Sequence, residues 1–97
     1  MVMALLVAES AWSGPDPSRQ QALEYLLHQD CGSCHGMTLQ GGLGPPLTPG
    51  ALAGKPDELL VTSILEGRPG TAMPPWKPYL SADEAQWLVQ QLRQPRR

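Results

Sequence analysis

Apolar residues recur at helical spacing in three stretches of the chain, and no stretch shows the alternation that marks a strand. In the first, Ala22, Leu23, Leu26 and Leu27 follow the pair Asp16-Pro17. An aspartate caps a helix start, and a proline in the first turn loses no hydrogen bond there, so the spacing predicts a helix running toward Cys31. The second stretch predicts a helix over 56–66, with Leu59, Leu60 and Ile64 turned inward and Gly67 as its stop. The third has the strongest local signal. Ser81 and Glu84 form a capping box, and Leu80 with Ala85 form the hydrophobic staple around it. Ala85, Leu88, Val89 and Leu92 then make an apolar stripe that Pro95 ends.

Between these helices, 36–54 and 67–80 are rich in Gly and Pro and lack periodicity, which predicts two long loops. Loops of that length are uncommon unless they wrap something. The expected fold is therefore all-α: about three helices and two irregular loops forming one domain over 18–95, with no internal repeat. A chain of 97 residues has no room for a second domain.

Composition sharpens this picture. Phe is absent and aromatic residues make up only 5% of the chain, so the usual bulky core fillers are scarce. Domains this small commonly need a disulfide, a metal or a prosthetic group, and a buried macrocycle would supply the apolar volume. The formal net charge of -2, with both signs interspersed, leaves no basic patch for nucleic acid. At the N-terminus, the apolar run Met1 to Ala8 and the small residues Ala8, Ser10 and Ala11 read as the remnant of a secretory signal over 1–11, although no positive residue precedes the run. Residues 12–17 read as a linker. The run is too short to span a bilayer, so the expectation is export to the periplasm without stable membrane insertion.

The chemistry lies in Cys31-Gly32-Ser33-Cys34-His35, the attachment pattern for c-type haem. Two intervening residues on a helical turn let both thiols face one edge of a porphyrin and add to its vinyl groups as thioethers. The next residue is rotated by about 100° around the helix, which lets the His35 imidazole reach over the ring to the iron. Three other uses of these cysteines are weaker. A disulfide would close a very short loop and leave His35 unexplained. A redox dithiol lacks the βαβ context of that chemistry, and a zinc site would have to recruit His28. On the opposite face of the haem, Met73 is the expected sixth ligand. It lies in a loop stiffened by Pro74 and Pro75, whereas Met37 is too close to His35 to cross the ring, and His28 precedes the attachment site on the same helix. The metal ligands are thus His35 and Met73, on one covalent haem.

With these residues in place, the chain resembles the class I cytochromes c, through Cys31-Gly-Ser-Cys34-His35-Gly36, Gly44-Pro45-Pro46-Leu47, Met73-Pro74-Pro75-Trp76 and the final amphipathic helix. The resemblance covers residues 20–94. It implies the small class I cytochrome c fold, with first and last helices crossing near the haem through Leu23, Leu26, Leu88 and Leu92. It also implies that the Pro45 carbonyl accepts the His35 ring N–H, fixing the ring and raising its basicity. Trp76 is implied either as a donor to a haem propionate or as packing, and Trp87 as helix-packing surface. The Met-Pro-Pro-Trp string is most similar to the small NirC-type cytochromes c encoded with haem-cd nitrite reductase in denitrifying bacteria. The implied function is a periplasmic one-electron carrier and not an enzyme, since six-coordinate iron offers no open position. Its implied partners are a nitrite reductase and an upstream quinol-linked donor. The alternatives are an accessory factor in maturing that reductase's haem cofactor, and a haem enzyme or gas sensor with a displaceable Met73. Lys55, Arg68 and Lys77 are candidates to ring a docking patch, with plain solvation as the alternative, and the chain is expected as a monomer or a helix-swapped dimer.

Overall fold

In the computed structural model, which describes residues 14–94, the fold is all-α and no strand occurs among the described residues. The expected signal remnant, Trp12, Ser13 and Pro95 lie outside the described residues. Asp16 opens α1 (Pro17–Leu26), its side chain accepting the Arg19 N–H at 3.0 Å. Leu23 and Leu27, one turn apart, are fully buried, Leu26 is half-buried, and Ala22 stays exposed.

The first helix runs further than its apolar pattern marks. It passes through one π-helical turn (Leu27–Cys31), where the Gly32 N–H reaches back five residues to the Leu27 carbonyl, and continues as α2 (Gly32–His35). A π turn packs an extra residue into the helix and resets its phase, and such turns concentrate at functional sites. Here it falls immediately before the two cysteines.

The expected loop over 36–54 is irregular only up to Thr48. There the Thr48 hydroxyl accepts the Ala51 N–H at 3.3 Å and opens α3 (Pro49–Leu52), which buries Leu52. This short helix corrects the all-loop expectation. Its signal, a capping residue followed by proline, is the same one that starts α1.

Helix α4 (Asp57–Glu66) carries Leu60 and Ile64 on one stripe against the core, with Leu65 beside them, all half-buried. Leu59 does not join them: it is 46% exposed, because it sits about 100° around the helix from Leu60. The inward reading of Leu59 is thus corrected. No residue of α4 is fully buried.

Helix α5 (Ala82–Arg93) has both halves of the capping box, with Ser81 Oγ accepting the Glu84 N–H at 3.1 Å and Glu84 Oε1 accepting the Ser81 N–H at 3.0 Å. Replacing Ser81 with alanine leaves one end of the box unsatisfied and is expected to cost about 1 kcal/mol, read by denaturant unfolding. Glu84 also pairs with Arg19, whose other arm donates to the Tyr79 carbonyl at 3.1 Å, so this cluster ties the start of α5 to α1. At the far end, Asp57 accepts from Gln86 and Gln90 at 3.0 Å each and from Arg93 at 2.7 Å. These bonds, with those from Gln86 and Arg93 dominant, hold its carboxyl below the usual carboxylate range. Arg93 also donates to the Leu52 carbonyl at 3.2 Å, so α3, α4 and α5 meet at this node. Gln94 is extended, as the residue before a proline prefers.

Leu23, Leu27, Leu39, Leu52, Leu80, Leu88 and Leu92 form one buried cluster that joins the first and last helices. Trp87, expected as helix-packing surface, is part of it and only 8% exposed, with Gly14 against its indole.

Candidate functional site

Cys31 ends the π turn half-buried, and Cys34 is exposed on α2. Neither is in a disulfide. Burial, then the charge of Asp30, then Cys34, push the Cys31 thiol up to about 11, so it stays protonated at neutral pH. A redox-active dithiol needs the opposite shift, toward a thiolate. Among the described residues no group of three or more His, Cys, Asp or Glu side chains is arranged to hold a metal ion, which leaves the zinc alternative without a cluster. His28 lies on the π turn and pairs with Glu24 at 3.5 Å, and Met37 is 60% exposed.

The segment after His35 folds back over α2. The Gly41 N–H donates to the His35 carbonyl at 2.8 Å and the Gly44 N–H to the Cys34 carbonyl at 2.7 Å, so two backbone bonds fix the loop to α2. This brings the Pro45 carbonyl 2.7 Å from His35 Nδ1. A carbonyl only accepts, so Nδ1 carries a proton, and in the neutral imidazole Nε2 is then the nitrogen with the lone pair. An imidazole in this tautomer, with its ring direction fixed, is prepared to ligate a metal through Nε2.

Gly44 is what lets the loop come this close. A Cβ there would lie 2.7 Å from both Cε1 and Nδ1 of His35. Gly44→Ala is therefore expected to push the His35 ring off the Pro45 carbonyl, which moves the His35 ring resonances in NMR. Unmoved resonances contradict this reading. The residue sits in the Gly-Pro-Pro segment, but the sequence alone does not reveal that its neighbour is an imidazole.

Met73 is held on a separate loop, half-buried. Its carbonyl accepts from the Arg68 N–H at 3.3 Å, and its own N–H donates to Thr71 Oγ1 at 3.3 Å. The loop is tied to the last turn of α4 by Trp76 N–H to the Ile64 carbonyl at 3.0 Å and Lys77 N–H to the Leu65 carbonyl at 3.1 Å. Gly67, expected only as a helix stop, does a second job. Its φ is +69°, and a Cβ there would lie 2.7 Å from the Met73 carbonyl oxygen, so the backbone of the Met-Pro-Pro segment passes directly over it. Trp76 is half-buried against the core, its ring 6.0 Å from that of Tyr79.

The structure thus brings His35 and Pro45 into contact beside two free thiols, and holds Met73 and Trp76 on a loop braced by α4. Leu26, Leu47, Leu60, Ile64, Leu65 and Trp76 come from both loops and two helices, and all lie half-buried against the core. Two free thiols, a fixed imidazole and a set of half-buried apolar side chains on the same core are the donor set and the apolar surface that a covalently held macrocycle with a metal at its centre would need. Among the described residues no helix is long and apolar enough to cross a membrane.

Comparison with known proteins gives concordant results. A family model described as cytochrome C oxidase, cbb3-type, subunit III matches residues 18–91. Cytochrome c55X of Pseudomonas aeruginosa is 63% identical over 78 residues, covering 80% of this chain and 66% of the relative, so the chain spans about two thirds of that relative's length. Among solved structures, the c-type cytochrome NirC superposes with a TM-score of 0.80 at 63% identity, covering 81% of this chain and 93% of that one. A structure of the dihydro-heme d1 dehydrogenase NirN in complex with DHE gives a TM-score of 0.69 at 37% identity, over 75% of this chain and 16% of that one. By its matched span, its fold and its relatives, the chain belongs to the c-type cytochromes, electron-transfer proteins whose cofactor is covalently bound haem c.

Proposed function

We propose that the chain is a one-electron carrier of the periplasm, with haem c fixed as thioethers to Cys31 and Cys34 and its iron held by His35 and Met73. The observation that carries this reading is the His35 imidazole, its tautomer set by the Pro45 carbonyl at 2.7 Å, one residue after the second of two free thiols. Bound there, haem c supplies reversible one-electron iron chemistry. The remaining work falls to the chain. Pro45 and Gly44 hold the imidazole at one orientation, so the ligand has little freedom to lose or regain when charge changes. Gly67, Pro74 and Pro75 constrain the Met73 backbone, so the thioether is presented on a stiff segment. A neutral thioether raises the potential relative to harder ligands.

The likeness to NirC supports a nitrite reductase as the electron acceptor. Mixing the reduced, haem-loaded chain with haem-cd nitrite reductase in a stopped-flow instrument is expected to oxidise it, with one electron leaving per chain. Failure to oxidise it would remove that acceptor from the reading. The likeness to part of a dihydro-heme d1 dehydrogenase favours a second role in maturing the reductase's cofactor. A dehydrogenation releases two electrons, which a monohaem carrier removes one at a time. Reduction of the oxidised chain by that dehydrogenase and its dihydro-haem substrate supports this role, and a chain that stays oxidised excludes it.

A further inference from the structure

Arg19 lies in the first turn of α1 and reaches two residues far away in sequence. Its Nε and Nη2 both donate to the Glu84 carboxylate, Nη2 at 3.3 Å, and Nη2 also donates to the Tyr79 carbonyl at 3.1 Å. Arg19, ahead of the Ser81 N–H, holds the Glu84 carboxyl below the usual carboxylate range, so the pair is charged at neutral pH. Tyr79 belongs to the loop that carries Met73, and its carbonyl is part of a closed unit. The Tyr79 and Leu80 N–H groups both donate to the Trp76 carbonyl, at 2.9 and 3.0 Å, and the Trp76 N–H is bound to the Ile64 carbonyl of α4. The Tyr79 ring stands 6.0 Å from that of Trp76, and Leu80 is buried in the core. Met73 lies three residues before Trp76. On the other side, α1 runs on through the π turn into α2, which carries Cys34 and His35. Arg19 therefore ties the loop of Met73 to the helix that leads to His35.

We propose that Arg19 is a positioning residue for the Met73 thioether, bracing the turn 76–80 against α1 so that the sulfur keeps its place on the iron against competing ligands. The inference rests on the reading of Met73 as the sixth ligand and names a residue that keeps it there. A ligand on a loop leaves the metal by moving that loop, so any bond the movement breaks adds its free energy to the strength of ligation. The Arg19 bond to Tyr79 is charge-assisted, which makes it stronger than a bond between neutral groups. A planar guanidinium serves the carboxylate and the carbonyl together, whereas the compact ammonium of a lysine has no such fork. The Arg19 side chain is 39% exposed, and an ion pair that open to water adds little to the stability of the fold. Its effect is therefore expected on the loop.

The test titrates imidazole into the ferric, haem-loaded full chain and follows the loss of the weak red sulfur-to-iron band, which reads displacement of Met73 and needs no redox partner. Arg19→Gln is expected to raise the apparent imidazole affinity by about threefold or more. Arg19→Lys keeps a charge for Glu84 but not the fork; it is expected to move the affinity in the same direction and replaces Arg19→Gln should that variant not fold. Ser81→Ala weakens the start of α5 and leaves the Arg19 contacts in place, so its affinity is expected to match the wild type. An affinity within about twofold of wild type in Arg19→Gln, or in Arg19→Lys where only that variant folds, would overturn the proposal. An equal rise in Ser81→Ala would overturn it too, since general loss of stability would then explain the effect. Met73→Ala separates this failure from that of the underlying reading: if it keeps the red band, Met73 is not the sixth ligand and both fall, whereas loss of the band with an unmoved Arg19→Gln removes Arg19 alone.

Discussion

Replacing Cys31 and Cys34 together with alanine is expected to leave no haem on the chain after denaturation, so that a haem-staining gel reads zero where the wild type is fully stained. Under the proposed attachment these two sulfurs are the whole covalent link, and nothing else in the sequence replaces them. The effect extends to folding. Leu26, Leu47, Leu60, Ile64 and Leu65 are only half-buried by protein, and α4 has no fully buried residue. If the proposed macrocycle covers these side chains, its loss returns apolar area to water at roughly 25 cal/mol for each Å². The double variant is therefore expected to melt with low cooperativity, followed by circular dichroism. A chain that retains haem through denaturation would place the attachment elsewhere.

The second large effect is expected at Met73. Met73→Ala should abolish the weak red absorbance of a sulfur-to-ferric-iron bond and lower the midpoint potential by on the order of 0.1 V or more, within the roughly 0.8 V that axial ligands command. Because the loop is pinned at Gly67 and tied to α4 through Trp76 and Lys77, the substitution is expected to leave the fold and the covalent haem intact. Met37→Ala is the control. Met37 is 60% exposed next to the attachment segment, and its removal should leave the red band in place. Survival of that band in Met73→Ala would assign the sixth position to another residue.

The parts of this molecule that can be read from sequence are those whose cause is local. The capping box at Ser81 and Glu84, the Asp16-Pro17 helix start and the Cys31 to His35 spacing each act within a few residues, and each is visible before any fold is known. The Thr48-Pro49 pair is equally local, and α3 goes unforeseen only because the glycines and prolines around it suggest continuous loop. Other features depend on distant neighbours. Leu59 and Leu60 are alike as residue types, and only the position of the core decides which is buried. The π turn at Leu27–Cys31 joins the stretch that buries Leu23 and Leu27 to the one that carries the cysteines, and no residue propensity encodes it. Gly44 and Gly67 look like ordinary turn glycines until the His35 ring and the Met73 carbonyl are seen at 2.7 Å from where a Cβ would stand. The Asp57 node joins positions up to 41 residues apart in sequence and has no local signature at all.

The central claim is that both axial positions are filled by the chain itself, which makes the protein a carrier and closes it to substrates. Exposing the reduced, haem-loaded protein to carbon monoxide at neutral pH tests this most directly. An unchanged ferrous spectrum is the predicted result; formation of a carbon monoxide adduct would contradict the claim and point to a haem with an open or displaceable position.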